Sequence, residues 1–317
     1  MVLRRRPVDA ERRGSVTAVG TGESREPEPI LVEVTRSGFV ESVHRSSCVV
    51  IAPDGSVHAT HGDPARATFP RSANKAMQAV AMVGAGLDLS PSLLALAAAS
   101  HSGEAMHLDG VRAILSSCGL REDALGNANG LPLGRDALRA WYREGRRSER
   151  IAHNCSGKHS AMLAACIAAG WPIDGYLAAD HPLQASITKV IEELAEERCD
   201  GIAVDGCGAP THHLSLIGLA RAYRTIALAD ERSPAGRVRS AMLTYPEMVG
   251  GTDRDVSLLM RAMPGMLAKD GAEGVIVGAT TTGWACAVKL ADGATRGRVP
   301  VLLALLAAAG VGICHRA

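Results

Sequence analysis

The chain has 317 residues, 47% of them hydrophobic and only 3% aromatic, and its formal net charge is +1. This length and apolar content suffice for a sizeable core built from aliphatic side chains. A charge near zero predicts no strong electrostatic attraction to nucleic acid or to a membrane surface. No apolar run follows the arginines at positions 4–6, so we expect no secretory signal and a cytoplasmic protein.

The two ends of the chain differ in composition. Residues 1–29 are polar and carry several glutamates and prolines, which predicts a disordered tail. Residues 30–317 are interpreted as a single domain with a helical subregion. The apolar run 299–313 is too short to span a bilayer and is predicted to be a buried terminal helix.

Residue periodicity predicts strands, then many helices, then strands and a last helix. Strands are expected at 31–34, 47–52 and 57–59, and again at 274–278 and 284–289. Helices are expected at 72–83, 91–99, 110–117, 158–169, 184–196, 214–228, 234–244 and 299–309. The fold class is therefore an α/β (α+β) sandwich, in which the first and last strands form one antiparallel sheet and the helical middle region packs against it.

Lysine is scarce, because only five of the 34 basic residues are lysines: Lys75, Lys158, Lys189, Lys269 and Lys289. Three of them, Lys75, Lys158 and Lys269, stand in compact contexts rich in small or hydroxyl residues. Arginine keeps its proton in proteins, whereas a buried lysine can lose it. The placement favours neutral amines that act as a base or bind a metal; the alternative is that lysines fall in such contexts by chance.

The first candidate site is Ser72-x-x-Lys75, at the start of a predicted helix. Residues three apart share a helix face, so the hydroxyl and the amine lie close together. The helix N-terminus favours a neutral lysine and a developing negative oxygen. Acyl-transfer enzymes use this S-x-x-K arrangement. The alternative is a capping serine with a lysine that faces solvent.

Two further segments carry hydroxyl or amine groups. Ser100-His101-Ser102 follows an apolar helix and could reach into a cleft, although capping and turn chemistry is the alternative. Lys269-Asp270-Gly271 precedes a predicted strand and resembles the K-T-G element of serine acyl-transfer enzymes. Because Asp-Gly is itself a turn signal, a surface turn is the favoured interpretation there.

Two of the eight cysteines lie in glycine-bearing loops. Cys155 stands three residues before Lys158 where a helix opens, and Cys207 follows the apolar stretch 202–204. Thiolates are zinc ligands, and a lysine that has lost its proton could join them. The alternatives are a pair of ordinary buried thiols or a catalytic cysteine. No disulfides are expected in a cytoplasmic chain.

Taken together, six segments resemble the asparaginase II family, whose best-known type is the rhizobial, class 3 L-asparaginase. The resemblance covers roughly residues 32–293, and the Asn-Cys-Ser-Gly-Lys-His string is its most specific part. The segments are Arg71-Ser72-Ala73-Asn74-Lys75, Ala99-Ser100-His101-Ser102, Asn154-Cys155-Ser156-Gly157-Lys158-His159, Asp180-His181-Pro182, Asp205-Gly206-Cys207 and Pro246-Glu247-Met248-Val249.

The resemblance implies a serine β-lactamase-like or glutaminase-like fold in a homodimer that hydrolyses L-asparagine to aspartate and ammonia. Residues 30–317 would be the catalytic domain. The implied roles fall into four groups. They are two catalytic Ser-Lys tandems, Ser72 with Lys75 and Ser100 with Lys269; substrate-binding residues Arg71, His101, Asp205 and Gly206; a Zn²⁺ site of Cys155, Lys158, Cys207 and solvent; and Asp205 with His159 as support for the zinc ligands.

Two other functions remain open at the level of sequence. A serine acyl-transferase or β-lactamase-like hydrolase would use the same S-x-x-K arrangement of serine and lysine. A non-catalytic zinc-binding protein would need the cysteines but not Ser72.

Overall fold

The computed structural model describes residues 28–312, so the predicted tail lies outside the described residues except for Glu28 and Pro29. Eight strands form within these described residues: β1 Ile30–Arg36, β2 Phe39–Ile51, β3 Val57–His61, β4 Gly201–Val204, β5 Pro210–His213, β6 Met266–Asp270, β7 Val275–Thr280 and β8 Ala285–Leu290. The α-helices are α1 Lys75–Gly84, α2 Pro91–Ala97, α3 Ala105–Ser117, α4 Arg135–Arg143, α5 Ser156–Ala168, α6 Pro182–Ala195, α7 Leu216–Leu228, α8 Pro234–Thr244, α9 Pro246–Val249, α10 Asp255–Ala262 and α11 Arg298–Ala308.

The main sheet joins the two ends of the described chain. Its strand order is β1-β2-β8-β7-β6, with β3 beside β2, and its neighbours are antiparallel. β2 pairs with β8 in a register that sets Val49 opposite Ala287. The predicted fold class is thus confirmed as a mixed α/β architecture with an antiparallel sheet from N- and C-terminal strands. Every residue of β7 is buried, which requires cover on both faces, and α7 and α11 pack against it.

The helical region packs closely because its contact positions are small. A Cβ atom added at Gly157, in the first turn of α5, would lie 2.6 Å from the carbonyl oxygen of Leu96 in α2. Only glycine permits this approach, which draws the N-terminus of α5 against the C-terminal half of α2. The site residues at the two helix ends are thereby brought together. Within residues 28–312, no helix has the length and apolar character needed to cross a membrane.

Some elements were not predicted from sequence, among them the β4–β5 hairpin, α4, α10 and β6. The surface turn favoured for Lys269-Asp270-Gly271 is wrong. Lys269 and Asp270 end β6 with 0% and 5% of their surface exposed. The Asp-Gly pattern predicted an exposed turn, but ion pairs with other residues of the fold compensate the charges of Lys269 and Asp270. These ion pairs allow the end of the strand to be buried.

Candidate active site

The predicted Ser72-x-x-Lys75 element is a tight turn that continues into α1. Residues 71–74 form a 3₁₀ turn, and the Lys75 N–H donates to the Ser72 carbonyl oxygen. Side chains three apart eclipse in such a turn, so Ser72 and Lys75 share one face. Ser72 is half-buried, and Lys75 is 2% exposed. The alternative of a lysine that faces solvent is therefore wrong.

The backbone around this turn is tightly constrained. Arg71 has φ +54°, a left-handed conformation that costs energy for a residue with a Cβ atom. The preceding Pro70 carbonyl packs against Gly271, where an added Cβ atom would overlap it. The end of β6 thus abuts the turn that presents Ser72.

The amine of Lys75 reaches the second predicted hydroxyl segment. Its Nζ atom donates to the Ala99 carbonyl oxygen at 2.5 Å and to Ser100 Oγ at 3.1 Å. Ser100 is itself buried, and its N–H donates to the Val249 carbonyl oxygen. The resemblance implied a Ser100–Lys269 tandem, whereas the hydrogen bond in this structure joins Ser100 to Lys75.

The amine of Lys269 is held by the next residue along β6. Nζ donates to the carbonyl oxygen of Asp270 at 2.9 Å and to its Oδ1 atom at 2.6 Å. Burial lowers the pKa of Lys269 to about 8. The negative charge of Asp270 opposes this shift, whereas the positive charges of Lys75 and Arg254 add to it. Burial alone would raise the pKa of the Asp270 carboxyl, but Lys269 and Arg254 hold it well below its usual range.

His101 is fully buried, and both of its ring nitrogens are engaged. Nδ1 accepts the Gly103 N–H at 3.1 Å, so Nε2 is the protonated nitrogen and donates to Ser156 Oγ at 2.9 Å. Burial lowers the pKa of His101 well below its ordinary value, which keeps the ring neutral. The resemblance implied substrate binding by His101; its geometry instead fits a role in tying the loop after α2 to the start of α5.

Arg71, Asp205 and Gly206 do lie together, beside the turn that contains Ser72. Arg71 Nη2 is 2.6 Å from Asp205 Oδ1, which also accepts the Gly206 N–H at 2.8 Å. Burial would raise the pKa of Asp205, but the charges of Arg71 and Lys158 outweigh it and lower that pKa. Gly206 is exposed, so this group borders the open side of the site and could contact a substrate.

The three predicted metal ligands also converge. Cys155 and Cys207 are 3% and 2% exposed and pack against each other, and Lys158 Nζ lies 3.4 Å from Cys207 Sγ. A hydrogen bond from Cys207 lowers the pKa of Cys155 well below its ordinary value. Burial alone would lower the pKa of Lys158, but Cys207 and Cys155 outweigh it and raise that pKa.

The donor set fits zinc. A tetrahedral ion with ordinary Zn–S and Zn–N bonds places a sulfur and a nitrogen ligand about 3.6 Å apart, close to the observed Lys158–Cys207 separation. Within residues 28–312, no group of three or more His, Cys, Asp or Glu side chains is arranged to hold a metal. A zinc ion here would therefore need the lysine as its third protein ligand.

Two residues near this cluster were missed in the sequence. Tyr176 Oη accepts the Gly126 N–H at 2.9 Å and lies at hydrogen-bond distance, 2.8 Å, from Nδ1 of His159. The Nε2 atom of His159 is buried and has no hydrogen-bond partner among the described residues. Burial lowers the pKa of His159 to about 4, with Cys207 as the nearest opposing group. Tyr176 stands in a loop with no motif, so no sequence signal marks it.

The second missed residue is His153, which precedes Cys155 by two positions. Its Nδ1 atom accepts the Cys155 N–H at 3.1 Å. Burial lowers the pKa of His153, and the charges that act on it are those of the site, Cys207, Lys75, Lys158 and Asp205. His153 directly precedes the Asn-Cys-Ser-Gly-Lys-His string, and this position could have marked it as a site residue.

The chain is similar to one protein family and to several solved structures. A family model described as L-asparaginase II matches residues 32–316. No curated protein sequence matches the chain. Among solved structures, a β-lactamase (Mb2281c) from Mycobacterium bovis aligns at 16% identity and TM-score 0.48, over 83% of this chain and 94% of that one. A putative β-lactamase from Bacteroides dorei aligns at 12% identity and TM-score 0.43, over 77% and 84%. A Bacillus glutaminase aligns at 12% identity and TM-score 0.39, over 85% and 92%.

Proposed function

We propose that this chain, which belongs to the L-asparaginase II family and is thus a hydrolase of amides, converts L-asparagine to L-aspartate and ammonia. The observation that carries the proposal is the position of one buried amine, Lys75, which hydrogen-bonds Ser100 and lies one 3₁₀ turn after Ser72. A hydroxyl beside a buried amine is the pairing that acyl transfer from an amide requires.

Ser72 is the proposed nucleophile. Its oxygen attacks the side-chain amide carbon of asparagine, and Lys75 takes the hydroxyl proton. The tetrahedral intermediate carries a negative oxygen, which the backbone N–H groups of the 71–74 turn would stabilise. Ser72 is only half-buried, which leaves its hydroxyl accessible to a small substrate.

Ser100 is the proposed proton carrier to the leaving group. The Lys75–Ser100 hydrogen bond offers a direct route by which the proton taken from Ser72 reaches the departing nitrogen. The carbon–nitrogen bond then breaks, ammonia leaves with that proton, and an aspartyl ester on Ser72 remains. Water attacks the ester, gives a proton back to Ser72 through Lys75, and releases aspartate.

Lys269, Arg71, Asp205 and Gly206 complete the proposed site. The Lys269 amine adds a second base, whose pKa is lowered by burial and, to a smaller extent, by the charge of Lys75. Arg71 and Asp205 present opposite charges at the open side, and these complement the carboxylate and ammonium groups of an amino-acid substrate.

Zn²⁺ is the proposed cofactor, and Cys155, Lys158 and Cys207 are the residues that would hold it. When bound, zinc acts as a Lewis acid that polarises or seats a polar group of the substrate. Lys158 would bind it as a neutral amine, with the proton displaced by the metal. His159, whose pKa responds to Cys207, would support that ligand.

Ammonia release from L-asparagine by the purified protein tests the proposal. L-glutamine and a β-lactam serve as the competing substrates. Turnover of L-asparagine with at most slow turnover of the other two supports an asparaginase. Preferential acylation by the β-lactam would favour the serine acyl-transferase instead, and absence of turnover with tight zinc binding would favour a non-catalytic zinc protein. The homodimer and the cytoplasmic location stay predictions.

A further inference from the structure

Three cationic side chains from three separate elements converge on the carboxylate of Asp270. Lys269 Nζ lies 2.6 Å from Oδ1. Arg254, which precedes α10, places Nη2 2.7 Å from Oδ2. Arg298, the first residue of α11, has Nη1 3.6 Å from the same oxygen. Asp270 is 5% exposed, so these interactions are little screened by solvent.

Charge balance singles out the lysine from the two arginines. Arg298 Nη2 also lies 2.7 Å from Asp255 Oδ2. The guanidinium groups of Arg254 and Arg298 are therefore matched by the carboxylates of Asp255 and Asp270. A protonated Lys269 would be the excess charge in a buried cluster, and burial of an unbalanced charge is costly. The cluster thus favours a neutral amine at Lys269.

The hydrogen bonds of that amine then fix where its lone pair is directed. A neutral amine has two N–H bonds and one lone pair. The Asp270 carbonyl oxygen, at 2.9 Å, and Oδ1, at 2.6 Å, are two acceptors for those two N–H bonds. With both donors engaged on one residue, the lone pair is directed away from Asp270.

We infer that Asp270 is a positioning residue, which holds the Lys269 amine with its lone pair free for proton transfer, while Arg254 and Arg298 hold the Asp270 carboxylate. The part of this inference that concerns catalysis rests on the proposed function. The positioning itself requires no substrate and can be measured without one.

The same cluster braces the nucleophile turn. Arg298 Nη1 donates to the Gly271 carbonyl oxygen at 3.0 Å, and Gly271 packs directly against the Pro70 carbonyl, just ahead of Ser72. One ion-pair cluster therefore positions both the second amine and the backbone that presents the nucleophile. Each residue of the Lys-Asp-Gly sequence makes a different contact: Lys269 with Asp270, Asp270 with the two arginines, and Gly271 with the Pro70 carbonyl.

Lysine NMR tests the inference directly. Because the chain has five lysines, protein labelled with ¹³C at lysine Cε gives five resolvable signals, and Lys269→Arg assigns the one of interest. The charged groups that face this amine are Asp270 on its own strand, Arg254 ahead of α10 and Lys75 on α1. Tyr223 on α7 faces Asp270 as a neutral phenol, because burial raises its pKa well above its ordinary value.

In Asp270→Asn, loss of the negative charge should move the Lys269 titration to lower pH. In Arg254→Gln, loss of a positive charge should move it to higher pH. Asp255→Asn is the matched control, since it removes a carboxylate from Arg298 without touching Lys269, and it should move the midpoint far less. Thermal unfolding confirms that each variant is folded. If Asp270→Asn does not fold, the upward shift in Arg254→Gln decides the matter alone.

An unchanged Lys269 titration in folded Asp270→Asn, or a downward shift in Arg254→Gln, overturns the inference. Activity supplies a separate measurement: Asp270→Asn should lower kcat by roughly 10- to 100-fold with little change in KM, and should move the rise of kcat with pH to lower pH. If the wild type does not hydrolyse L-asparagine while the titrations shift as stated, the positioning holds and the proposed function fails. If the wild type hydrolyses L-asparagine while the titrations do not respond, the proposed function holds and the positioning fails.

Discussion

The amine of Lys75 and the hydroxyl of Ser100 are 3.1 Å apart and hydrogen-bonded, although 25 residues separate them in the chain. The contact forms because α1 begins and α2 ends at the same place, with the Ala99 carbonyl oxygen as a second acceptor for the amine. Lys75 is thus linked to two serines, to Ser72 by the backbone hydrogen bond of the 3₁₀ turn and to Ser100 by its side chain. A single buried amine is thereby placed to take a proton from one hydroxyl and deliver it through another.

Replacement of Ser100 by alanine should lower kcat for L-asparagine by roughly 10²- to 10⁴-fold, which is the usual contribution of general acid–base catalysis to the rate. Ser102→Ala is the matched control. Its hydroxyl is equally buried, but it donates to the Gly250 carbonyl oxygen, so the loss should cost about 1 kcal/mol of stability and little activity. Steady-state kinetics and thermal unfolding of both variants make the comparison. Equal kcat values for the two variants would remove Ser100 from the proton route.

The local parts of this site follow from the sequence. The spacing of Ser72 and Lys75 predicts a shared face in any helical turn, and the structure supplies one. The scarcity of lysine indicates that Lys75, Lys158 and Lys269 are special, and all three are buried. The physical basis is that a core position accepts a long cation only if its charge is matched or lost.

The parts that depend on long-range contacts could not be predicted. No pattern within residues 99–102 shows that Ser100 would meet Lys75 and not Lys269. Asp270 was interpreted as a turn residue because the Asp-Gly signal is local, whereas its partners Arg254 and Arg298 come from distant elements. Strand β6 was missed for the same reason, since its stability comes from pairing with β7 and from these ion pairs.

Ser72→Ala should abolish L-asparagine hydrolysis, with a loss of roughly 10⁴-fold or more. The reason is that no other hydroxyl occupies the turn that shares its face with Lys75. Far-ultraviolet circular dichroism should be unchanged, because the serine side chain is half-buried at a turn. Ser90→Ala, at an exposed helix cap without a side-chain hydrogen bond, is the control and should keep full activity. Wild-type turnover by Ser72→Ala would exclude Ser72 as nucleophile.

Cys155→Ala and Cys207→Ala should each lower the zinc content of the purified protein, measured by elemental analysis. Each removes one of the two thiolates on which the site depends. Cys166→Ala, in the core of α5, is the control and should retain zinc. The protein should stay folded after chelation, because the aliphatic core does not depend on the metal. Stoichiometric zinc in the double variant Cys155→Ala/Cys207→Ala would place the metal elsewhere.

Tyr176→Phe should weaken zinc binding by roughly 10- to 100-fold, the usual effect of a lost supporting hydrogen bond behind a metal ligand. The Tyr176 hydroxyl lies 2.8 Å from Nδ1 of His159, and Cys207 is among the groups that act on the pKa of that ring. Competition with a zinc-binding dye measures the affinity without reference to activity. A variant with wild-type affinity would show that the Tyr176 hydroxyl does not support the zinc site. Tyr142→Phe, on the exposed surface of α4, provides the comparison.

If the Lys269 amine acts as the second base of the proposed site, its titration sets the pH dependence of kcat. Burial lowers its pKa to about 8, and only the neutral form has a lone pair that accepts a proton. Below this pKa the neutral fraction falls about tenfold for each pH unit. Hydrolysis of L-asparagine should therefore rise steeply from pH 6 and level off above about pH 8. The rise should disappear in a variant that lacks the Lys269 amine.

Lys269→Arg separates a base from a cation in that profile. Arginine keeps the positive charge at every accessible pH but has no lone pair to offer. If Lys269 acts as a base, the variant should lose most of its activity and show no rise through pH 8, while its thermal unfolding at pH 6 stays close to that of the wild type. If Lys269 acts only as a positive anchor, the variant should retain wild-type activity at pH 6. A full rate-pH profile of both proteins from pH 5.5 to pH 9.5 distinguishes the two, since the base predicts the largest difference at alkaline pH and the anchor predicts none.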